Sequence, residues 1–280
     1  MITDTLQARS VFASLASLEE SVFPLDRAAA AIGLEEYPQL DIEACLRQLD
    51  EYAAHAQVLL GDDRSPLKVI ESLNQVLFVD GALQGNTEDY FDPRNSYLNE
   101  VLERKVGIPI TLSIIYIEVA RRIRFAVQGV GLPGHFIVKC QGGEGEILID
   151  PFGGGRVLSA ANCQDLLDKL FGGTVKLQPT HLQPMDKKSI VTRMLFNLKG
   201  IYYHKEDYLK ALAIVERILM LNPGTPSEIR DRGVLYMQTS LFAKALSDLE
   251  YYAANFPGAD DASYIDSHVK LLRRIVACKN

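Results

Sequence analysis

Hydrophobic and polar positions alternate with the period of an α-helix through the first ninety residues. Apolar residues recur every three or four positions in DIEACLRQLDEYAAHAQVLL (41–60) and again in SPLKVIESLNQVLF (65–78). This spacing gathers the apolar side chains on one face of a helix. Ser65 followed by Pro66 is typical of a helix start. The pattern therefore predicts a helical part over residues 1–90.

The pattern changes after residue 90. NSYLNEVLERKVG (95–107) predicts a short helix with Asn95 or Ser96 as its N-cap, whereas PITLSIIYIEVARRI (109–123) carries apolar residues on every side. We expect the second of these to be a buried central helix. HFIVKC and EILID are typical of strands. Together these elements predict an α+β domain with a small antiparallel sheet, whose core spans residues 91–178.

The two predicted strands bring a histidine close to an aspartate. A two-residue turn at 142–143 would place His135 directly opposite Asp150, where the side chains lie within about 5 Å of each other. A turn centred one residue later would place Ile137 there instead. The His135 and Asp150 pair is either the base and orienting acid of a catalytic triad or a buried pair that serves folding alone.

A linker and a repeat follow the predicted sheet. QPTHLQPMDKK (178–188) has two prolines and no period, which indicates a linker at 179–187 between a domain at 1–178 and a second domain at 188–280. Beyond it, residue types recur at a spacing of 34. The matched pairs are Tyr202 with Tyr236, Tyr208 with Phe242, Ala211 with Ala245, and Pro223 with Pro257.

This period and these residue types fit the tetratricopeptide pattern of paired antiparallel helices. Gly233 occupies the small position of the second repeat, and Lys199 departs from the pattern at that position in the first. The segment at 261–279 predicts a further helix that caps the second repeat. We expect such repeats to bind a protein or peptide partner.

Composition and charge narrow the classes of function. The 280 residues carry a net charge of −7, so no global positive field attracts nucleic acid. The short basic run ARRIR (120–124) follows Glu118 at helical spacing, which is typical of a charge-paired helix edge. No signal-peptide pattern and no apolar run of about 18 residues occurs, so we expect a cytoplasmic protein without a membrane span. The four cysteines form no C-x-x-C pair, and neither a metal nor a cofactor is expected.

Longer motifs carry a family resemblance. GIPITLSIIYIEVARRIRFAVQGVGLPGHFIVKC followed by ILIDPF resembles the transglutaminase-like superfamily, and NSYLNEVLERKVGIPITLS, GVGLPGHFIVK and IDPFGGG are similar to the SirB-type family of bacterial proteins. In that family a transglutaminase-like domain precedes tetratricopeptide repeats. The resemblance spans about residues 10–275. It implies a papain-like core with a Cys-His-Asp triad, and it assigns the base and the orienting acid to His135 and Asp150.

The residue at the implied nucleophile position is the main departure from the family. That position opens the central helix and falls at or beside Pro109, which has no nucleophilic atom. Thr111 or Ser113 could supply a hydroxyl if the helix register differed. Among the cysteines, Cys163 is nearest in sequence to Asp150 and is the one to test.

The resemblance also implies residues that border a cleft. In DPRNSYLNE (92–100) these are Arg94, Asn95, Tyr97, Asn99 and Glu100. The glycine run in PFGGGRVLS could hold an anion through backbone N–H groups, with Arg156 adding positive charge.

Two functions remain open. The first is a degenerate transglutaminase-like protein that acts as a binding scaffold for a protein or peptide. The second is a hydrolase or acyl transferase for amide bonds that uses the histidine, the aspartate and a hydroxyl nucleophile.

Overall fold

A computed structural model describes residues 2–143 and 145–278 of the chain. Two compact units can be distinguished, Met1–Met194 and Leu195–Asn280. The linker and domain bounds expected around 179–187 stay a prediction. No helix in the described ranges combines the length and apolar character needed to cross a membrane.

Unit 1 begins with a series of helices, as the periodicity predicts. The helices are α1 (Ile2–Ala16), α2 (Leu25–Ala31), α3 (Ile42–Leu60), α4 (Pro66–Asn74), α5 (Leu98–Arg104), α6 (Pro109–Arg122) and α7 (Ala160–Phe171). Short 3-10 turns lie at Glu20–Val22, Ile32–Glu35, Pro93–Ser96, Pro151–Gly153 and Pro179–Leu182, and a π-helical segment, Gln75–Asp80, continues α4.

The helix starts follow local chemistry. Pro66 opens α4 after Ser65, as predicted. The N-cap predicted at Asn95 or Ser96 is wrong, because α5 begins at Leu98. Asp92 is the reason: its carboxylate accepts a hydrogen bond from the backbone N–H of Arg94 and begins a separate 3-10 turn there.

The strands of unit 1 form two sheets. β1 (Gln84–Gly85) pairs in parallel with β2 (Val106–Gly107). The larger sheet is antiparallel in the order β3-β4-β5-β6, with strands β3 (Val127–Val130), β4 (Ile137–Gln141), β5 (Glu146–Asp150) and β6 (Arg156–Leu158).

Helix α6 is the buried centre of unit 1. Every residue from Pro109 to Ala120 is buried, and the helix packs against α2, α3, β3, β4 and the 3-10 turn at Pro151–Gly153. Burial of each large aliphatic side chain, such as that of Ile114, contributes about 1.5–3 kcal/mol. The buried central helix predicted from its all-round apolar pattern is confirmed.

The register of β4 on β5 differs from the predicted one by two residues. Val138 lies opposite Ile149, where the predicted turn would place Ile147. The prediction that His135 lies directly opposite Asp150 is therefore wrong, and the later turn is the one formed. Gly142 closes this turn by donating its N–H to the carbonyl of Gly145 at 2.7 Å, so the turn is centred one residue later than the predicted turn at 142–143.

Helices joined by short turns make up the described residues of unit 2. It contains the C-terminal part of α8 (Lys187–His204), then α9 (Tyr208–Leu221), α10 (Pro226–Gln238), α11 (Phe242–Asn255) and α12 (Ala262–Ala277). Helix α10 packs against α9 and α11, and α12 packs against α11.

The 34-residue repeat is visible in the backbone of unit 2. Ala211 and Ala245 are fully buried at equivalent positions of α9 and α11. Glu206 and Ser240, also 34 residues apart, both have positive φ, of 56° and 61°, in the turns between paired helices. A Cβ on Gly233 would lie 2.6 Å from Cδ2 of Leu249, so the small residue lets α10 and α11 approach closely.

The remaining repeat residues lie where the pattern expects them. Tyr202 and Tyr236 are buried, and Tyr208 and Phe242 are half-buried at the starts of α9 and α11. Pro223 and Pro257 each follow the residue after the last turn of their helices, where proline prevents continuation.

Lys199 replaces the small residue of the first repeat. Its Nζ atom lies 2.7 Å from Oε2 of Glu228 and 2.6 Å from Oδ2 of Asp231, both on α10. The ammonium group thus joins α8 to α10 by ion pairs. At the corresponding position of the second repeat, Gly233 instead allows close packing of the helices.

Candidate functional site

A tight turn before β4 presents His135. The N–H of His135 donates to the carbonyl of Leu132 at 3.2 Å. Gly134 has a φ of +67°, and a Cβ there would lie 3.1 Å from Cδ1 of Leu170 and 3.2 Å from Cζ of Phe171. Glycine adopts this left-handed conformation without steric cost and leaves room for both side chains. The GLPG motif therefore sets the direction in which the histidine leaves the turn.

Arg193 holds the same turn from α8. Its Nη2 donates to the carbonyls of Leu132 and His135, each at 2.6 Å, and its guanidinium carbon lies 5.5 Å from the centre of the Phe136 ring. Burial lowers the pKa of Arg193. Sequence reasoning missed this residue, because nothing in the sequence links two positions 58 residues apart.

The structure brings His135 and Asp150 into contact. Nε2 of His135 lies 3.0 Å from Oδ1 of Asp150, and the two residues are 8% and 1% exposed. The register shift of two residues keeps both side chains on one face of the sheet, since strand residues alternate faces with a period of two. When Nε2 carries the proton and donates to the carboxylate, Nδ1 keeps its lone pair.

Asp150 is a buried anion with several donors around it. Burial by itself would raise the pKa of this carboxyl group, but the hydrogen bond and charge of His135, the backbone N–H of Gly153 and the charge of Arg156 together lower the pKa below its ordinary value. Nη2 of Arg156 lies 3.2 Å from Oδ2. Arg156, predicted at the cleft, thus contacts the pair directly.

The glycine run that follows Asp150 does not form the open anion cradle expected from sequence. The N–H of Gly154 donates to the carbonyl of Pro151, and that of Gly155 donates to the carbonyl of Asp150 at 2.9 Å. The N–H of Gly153 bonds to the Asp150 carboxylate. The anion that this loop holds is therefore the aspartate of the chain itself.

Asn74, on α4, holds the glycine run that follows Asp150 by a hydrogen bond. Its Nδ2 donates to the carbonyl of Gly155 at 2.8 Å. A Cβ on Gly155, which has a φ of +79°, would lie 2.0 Å from Oδ1 of Asn74. The third glycine of the run is needed for this close approach.

Pro109 is the first residue of α6, where its missing N–H costs no hydrogen bond. The two hydroxyl groups near it are both buried. Oγ1 of Thr111 accepts the N–H of Ile108 at 3.1 Å and lies 2.9 Å from the carbonyl of Asn95, so it caps the helix. Oγ of Ser113 has no hydrogen-bond partner among the described residues. Within the described ranges, none of these groups hydrogen-bonds to the imidazole of His135.

The cysteines near the pair are poor candidates for a thiolate. Cys163 is fully buried, and burial raises its pKa, with a further increase from the negative charge of Asp150. Cys140 is buried on β4, and burial raises its pKa as well.

The side chains of Arg94, Asn95 and Tyr97 contact residues other than His135 and Asp150. Asn95 is fully buried and bonds to the carbonyl of Asp89 at 2.8 Å, and Tyr97 packs edge-on against Tyr37. Arg94 pairs with Asp92 at the surface. Asn99 and Glu100 are half-buried on α5. The segment holds the chain that leads into α6.

Three aromatic residues that sequence reasoning did not single out lie beside the histidine. The Phe152 ring packs edge-on against His135, with ring centres 5.8 Å apart, and against Tyr90 at 6.4 Å. Tyr90 in turn contacts Phe91 at 5.4 Å. Gly85 makes room, since a Cβ there would lie 2.6 Å from the Phe152 ring. We call Tyr90, Phe91 and Phe152 the aromatic surface; their signal in the sequence is their position beside DPR and after IDP.

Comparisons with known proteins agree with this geometry. A family model described as the transglutaminase-like superfamily matches residues 43–196, which include the helix, the histidine and the aspartate. This chain belongs to the transglutaminase-like superfamily. A tetratricopeptide repeat model matches residues 198–270. The predicted fold class, a transglutaminase-like α+β domain followed by helical repeats, is confirmed.

Relatives of this transglutaminase-like chain occur in several bacteria. A UPF0162 protein of Xylella fastidiosa is 34% identical over 260 residues, which cover 91% of this chain and 92% of the relative. A UPF0162 protein of Vibrio cholerae is 29% identical over 245 residues, 87% of this chain and 90% of the relative. F-box only protein 21 of Pongo abelii is 37% identical over 214 residues, which cover 72% of this chain and 34% of that protein.

Proposed function

We propose that this protein is a non-catalytic scaffold that binds a protein or peptide through the surface beside His135 and through its tetratricopeptide repeats. The observation that carries the proposal is the start of α6. Pro109 stands where the resemblance implies the nucleophile, and it offers no atom that could form an acyl intermediate. The similarity to the SirB-type family belongs to the same proposal.

The neighbouring side chains support the same conclusion. Thr111 is engaged in capping α6, and its removal from that role would leave the N–H of Ile108 without a partner. Cys163 is buried beside a negative charge, which opposes formation of a thiolate. A Ser or Thr nucleophile needs a base within hydrogen-bond reach, and neither Thr111 nor Ser113 hydrogen-bonds to the imidazole of His135 within the described residues.

The exposed aromatic side chains support binding. Phe91 is 69% exposed and Tyr90 is 38% exposed, next to the half-buried ring of Phe152. Aromatic side chains that lie on a surface supply much of the energy of protein interfaces, because each buries a large area with few rotatable bonds. Tetratricopeptide repeats supply a second surface of the kind that grips extended chains.

The binding function can be tested by site-specific photo-crosslinking in cells. A photoreactive amino acid is introduced at position 91 on the aromatic surface and, as a matched control, at position 58, where Val58 is 78% exposed on α3. We expect a defined product from position 91 alone. The cross-linked protein is then purified, and Phe91→Ser is expected to weaken its binding by about tenfold, the cost of one aromatic anchor. Identical products from both positions, or unchanged affinity, would contradict the proposal.

One observation favours a second function. The histidine and aspartate retain the hydrogen bond of a triad, which an amide hydrolase or acyl transferase would need. A fluorophosphonate probe and a panel of model amide and isopeptide substrates test it. Labelling or turnover that disappears in both His135→Ala and Ser113→Ala, or in both His135→Ala and Thr111→Ala, would establish catalysis and overturn the scaffold proposal.

A further inference from the structure

A cavity of about 710 Å³ lies at the C-terminal end of α6 in unit 1, and His135 does not line it. Three arginines contribute to its wall, together with one amide and apolar side chains. These residues are Arg64, Arg122, Arg124, Gln57, Val69, Ile123 and Phe125. No carboxylate side chain is among the lining residues. The volume is in the range of small-molecule sites.

Two of the three arginines have no ionic partner in the part of the chain that the structure describes. The positive charge of Arg122 is compensated, because its guanidinium contacts carboxylates at 2.6–3.1 Å, those of Asp26, Asp50 and Glu118. Arg64 and Arg124 are exposed and form neither a salt bridge nor a side-chain hydrogen bond within residues 2–143 and 145–278. Two uncompensated positive charges therefore face one concave surface of a chain whose net charge is negative.

The neighbouring cavity shows that this charge excess is local. A cavity of about 480 Å³ on the other side of Arg124 is lined by three acidic and three basic side chains, and its charges cancel. The acidic ones are Glu20, Glu118 and Asp186, and the basic ones are Arg121, Arg124 and Lys187. Arg121 and Arg122 both pair with Glu118, as their helical spacing predicts. Arg124 is the cation that both cavities share.

Two carbonyl groups at the C-terminal end of α6 accept hydrogen bonds from the backbone that follows. Arg124 adopts a φ of 62° and donates its N–H to the carbonyl of Arg121, and Phe125 donates to the carbonyl of Ala120. The last carbonyl groups of a helix carry its partial negative charge, and these two are hydrogen-bonded. The left-handed residue also turns the chain so that Phe125 lines the cavity beside Arg124.

We propose that this cavity binds a small organic phosphate monoester. A phosphomonoester carries close to two negative charges at neutral pH, which matches two unpaired guanidinium groups, and its oxygens accept the paired N–H donors of arginine. The amide of Gln57 adds a donor. Phe125 and Val69 offer an apolar surface to the organic group. This site is independent of the function proposed for His135.

Calorimetric titration of the full chain with phenyl phosphate tests the proposal, with benzoate as a monoanion of similar size. We expect phenyl phosphate to bind and benzoate to bind at least about tenfold more weakly. Arg64→Gln and Arg124→Gln should each weaken phenyl phosphate binding by about tenfold, the effect of one charged hydrogen-bond donor. Arg47→Gln is the matched control, because Arg47 is an exposed arginine that pairs with Asp41 away from the cavity.

Arg64 lies in the turn between α3 and α4 without a side-chain partner, so Arg64→Gln should keep the native circular dichroism spectrum. Absence of phenyl phosphate binding at about 10 mM, well above the millimolar limit of weak specific binding, would overturn the proposal. Equal affinity of wild type and Arg64→Gln, or equal affinity for benzoate, would do the same.

Discussion

Nε2 of His135 lies 3.0 Å from Oδ1 of Asp150, and both side chains are buried. The carboxylate also contacts Arg156 and the N–H of Gly153; burial alone would raise the pKa of this carboxyl group, and these partners lower it. The buried carboxylate is thus held by hydrogen bonds and opposite charges from several residues of unit 1. Removal of the carboxylate or of one of its partners should therefore lower the free energy of unfolding, whatever the site binds.

Asp150→Asn should destabilise the protein at neutral pH by about 1.5–3 kcal/mol, the usual contribution of hydrogen bonds to a charged group. The pKa of Asp150 is lowered in the folded chain. The stabilisation of the folded chain by the Asp150 carboxylate is therefore fully present above about pH 4, and it is lost as the pH falls through the folded-state pKa. Urea unfolding followed by circular dichroism should show a deficit at pH 7 that shrinks toward pH 3.

The matched control for this experiment is Asp165→Asn. Asp165 is exposed on α7 and forms no salt bridge within the described residues. We expect its unfolding free energy to equal that of wild type at both pH values. If the two substitutions behave alike, the contact with His135 does not stabilise the native state.

Local patterns predicted the helices and strands, and the pairing of the two strands predicted that His135 meets Asp150, although its register was wrong. Helix α6 could be recognised because apolar residues surround it, and the repeats because Ala211 and Ala245 recur in the same helical context. His135 and Asp150 meet although the register was wrong by two residues, since such a shift preserves the face of a strand. A shift of one residue would have separated them.

Contacts between distant segments could not be predicted. Arg193 reaches the turn before His135 from 58 residues away, and Asn74 reaches Gly155 from 81 residues away. Neither position carries a periodic or motif signal of its own. That the segment 94–100 borders a cleft stays a prediction, and the side chain of Asn95 bonds to Asn86 and to the carbonyl of Asp89, which holds the loop before α5.

Gly155→Ala should destabilise unit 1 by clearly more than Gly154→Ala. Both glycines have positive φ, of 79° and 75°, so both substitutions carry the left-handed cost of about 1–2 kcal/mol. An added Cβ meets open space at Gly154 but comes within 2.0 Å of Asn74 at Gly155. Thermal unfolding measures the stability of the two variants, and the difference between them is the cost of the steric contact with Asn74.

A double substitution checks the cause. Asn74→Ala removes the clashing atom, and its combination with Gly155→Ala should cost less than the sum of the two single changes. Additive costs would mean that Asn74 does not hold the glycine loop.

Lys199→Ala should destabilise unit 2 by about 3–5 kcal/mol, because it leaves the buried carboxylate of Glu228 without its cation. Arg273→Ala is the matched control in the same unit. Arg273 pairs with Glu250 at the surface, where such pairs contribute about 0–1 kcal/mol. Urea unfolding of the two variants measures the difference, and comparable losses would show that the Lys199 ion pairs are not what joins α8 to α10.

Pro109→Cys tests whether α6 begins at the lost nucleophile position. A thiol there would lie at a helix N-terminus, where the positive end of the helix dipole favours the thiolate, and a nearby histidine would favour it further. We therefore expect the thiol pKa, measured from the pH profile of iodoacetamide alkylation, to fall below the ordinary value of about 8.5. The experiment is done in a Cys278→Ser background, because Cys278 is the exposed cysteine.

Pro66→Cys is the matched control, since Pro66 opens α4 in the same way as Pro109 opens α6 but is not part of the site. The helix dipole acts at both positions, but Pro109 is buried and Pro66 is half-buried, so the effect of the histidine is measured by the change in thiol pKa that His135→Ala causes. We expect His135→Ala to raise the thiol pKa at position 109 and to leave that at position 66 unchanged. No response at position 109 to His135→Ala would place the ancestral nucleophile elsewhere and remove the main argument for a non-catalytic scaffold.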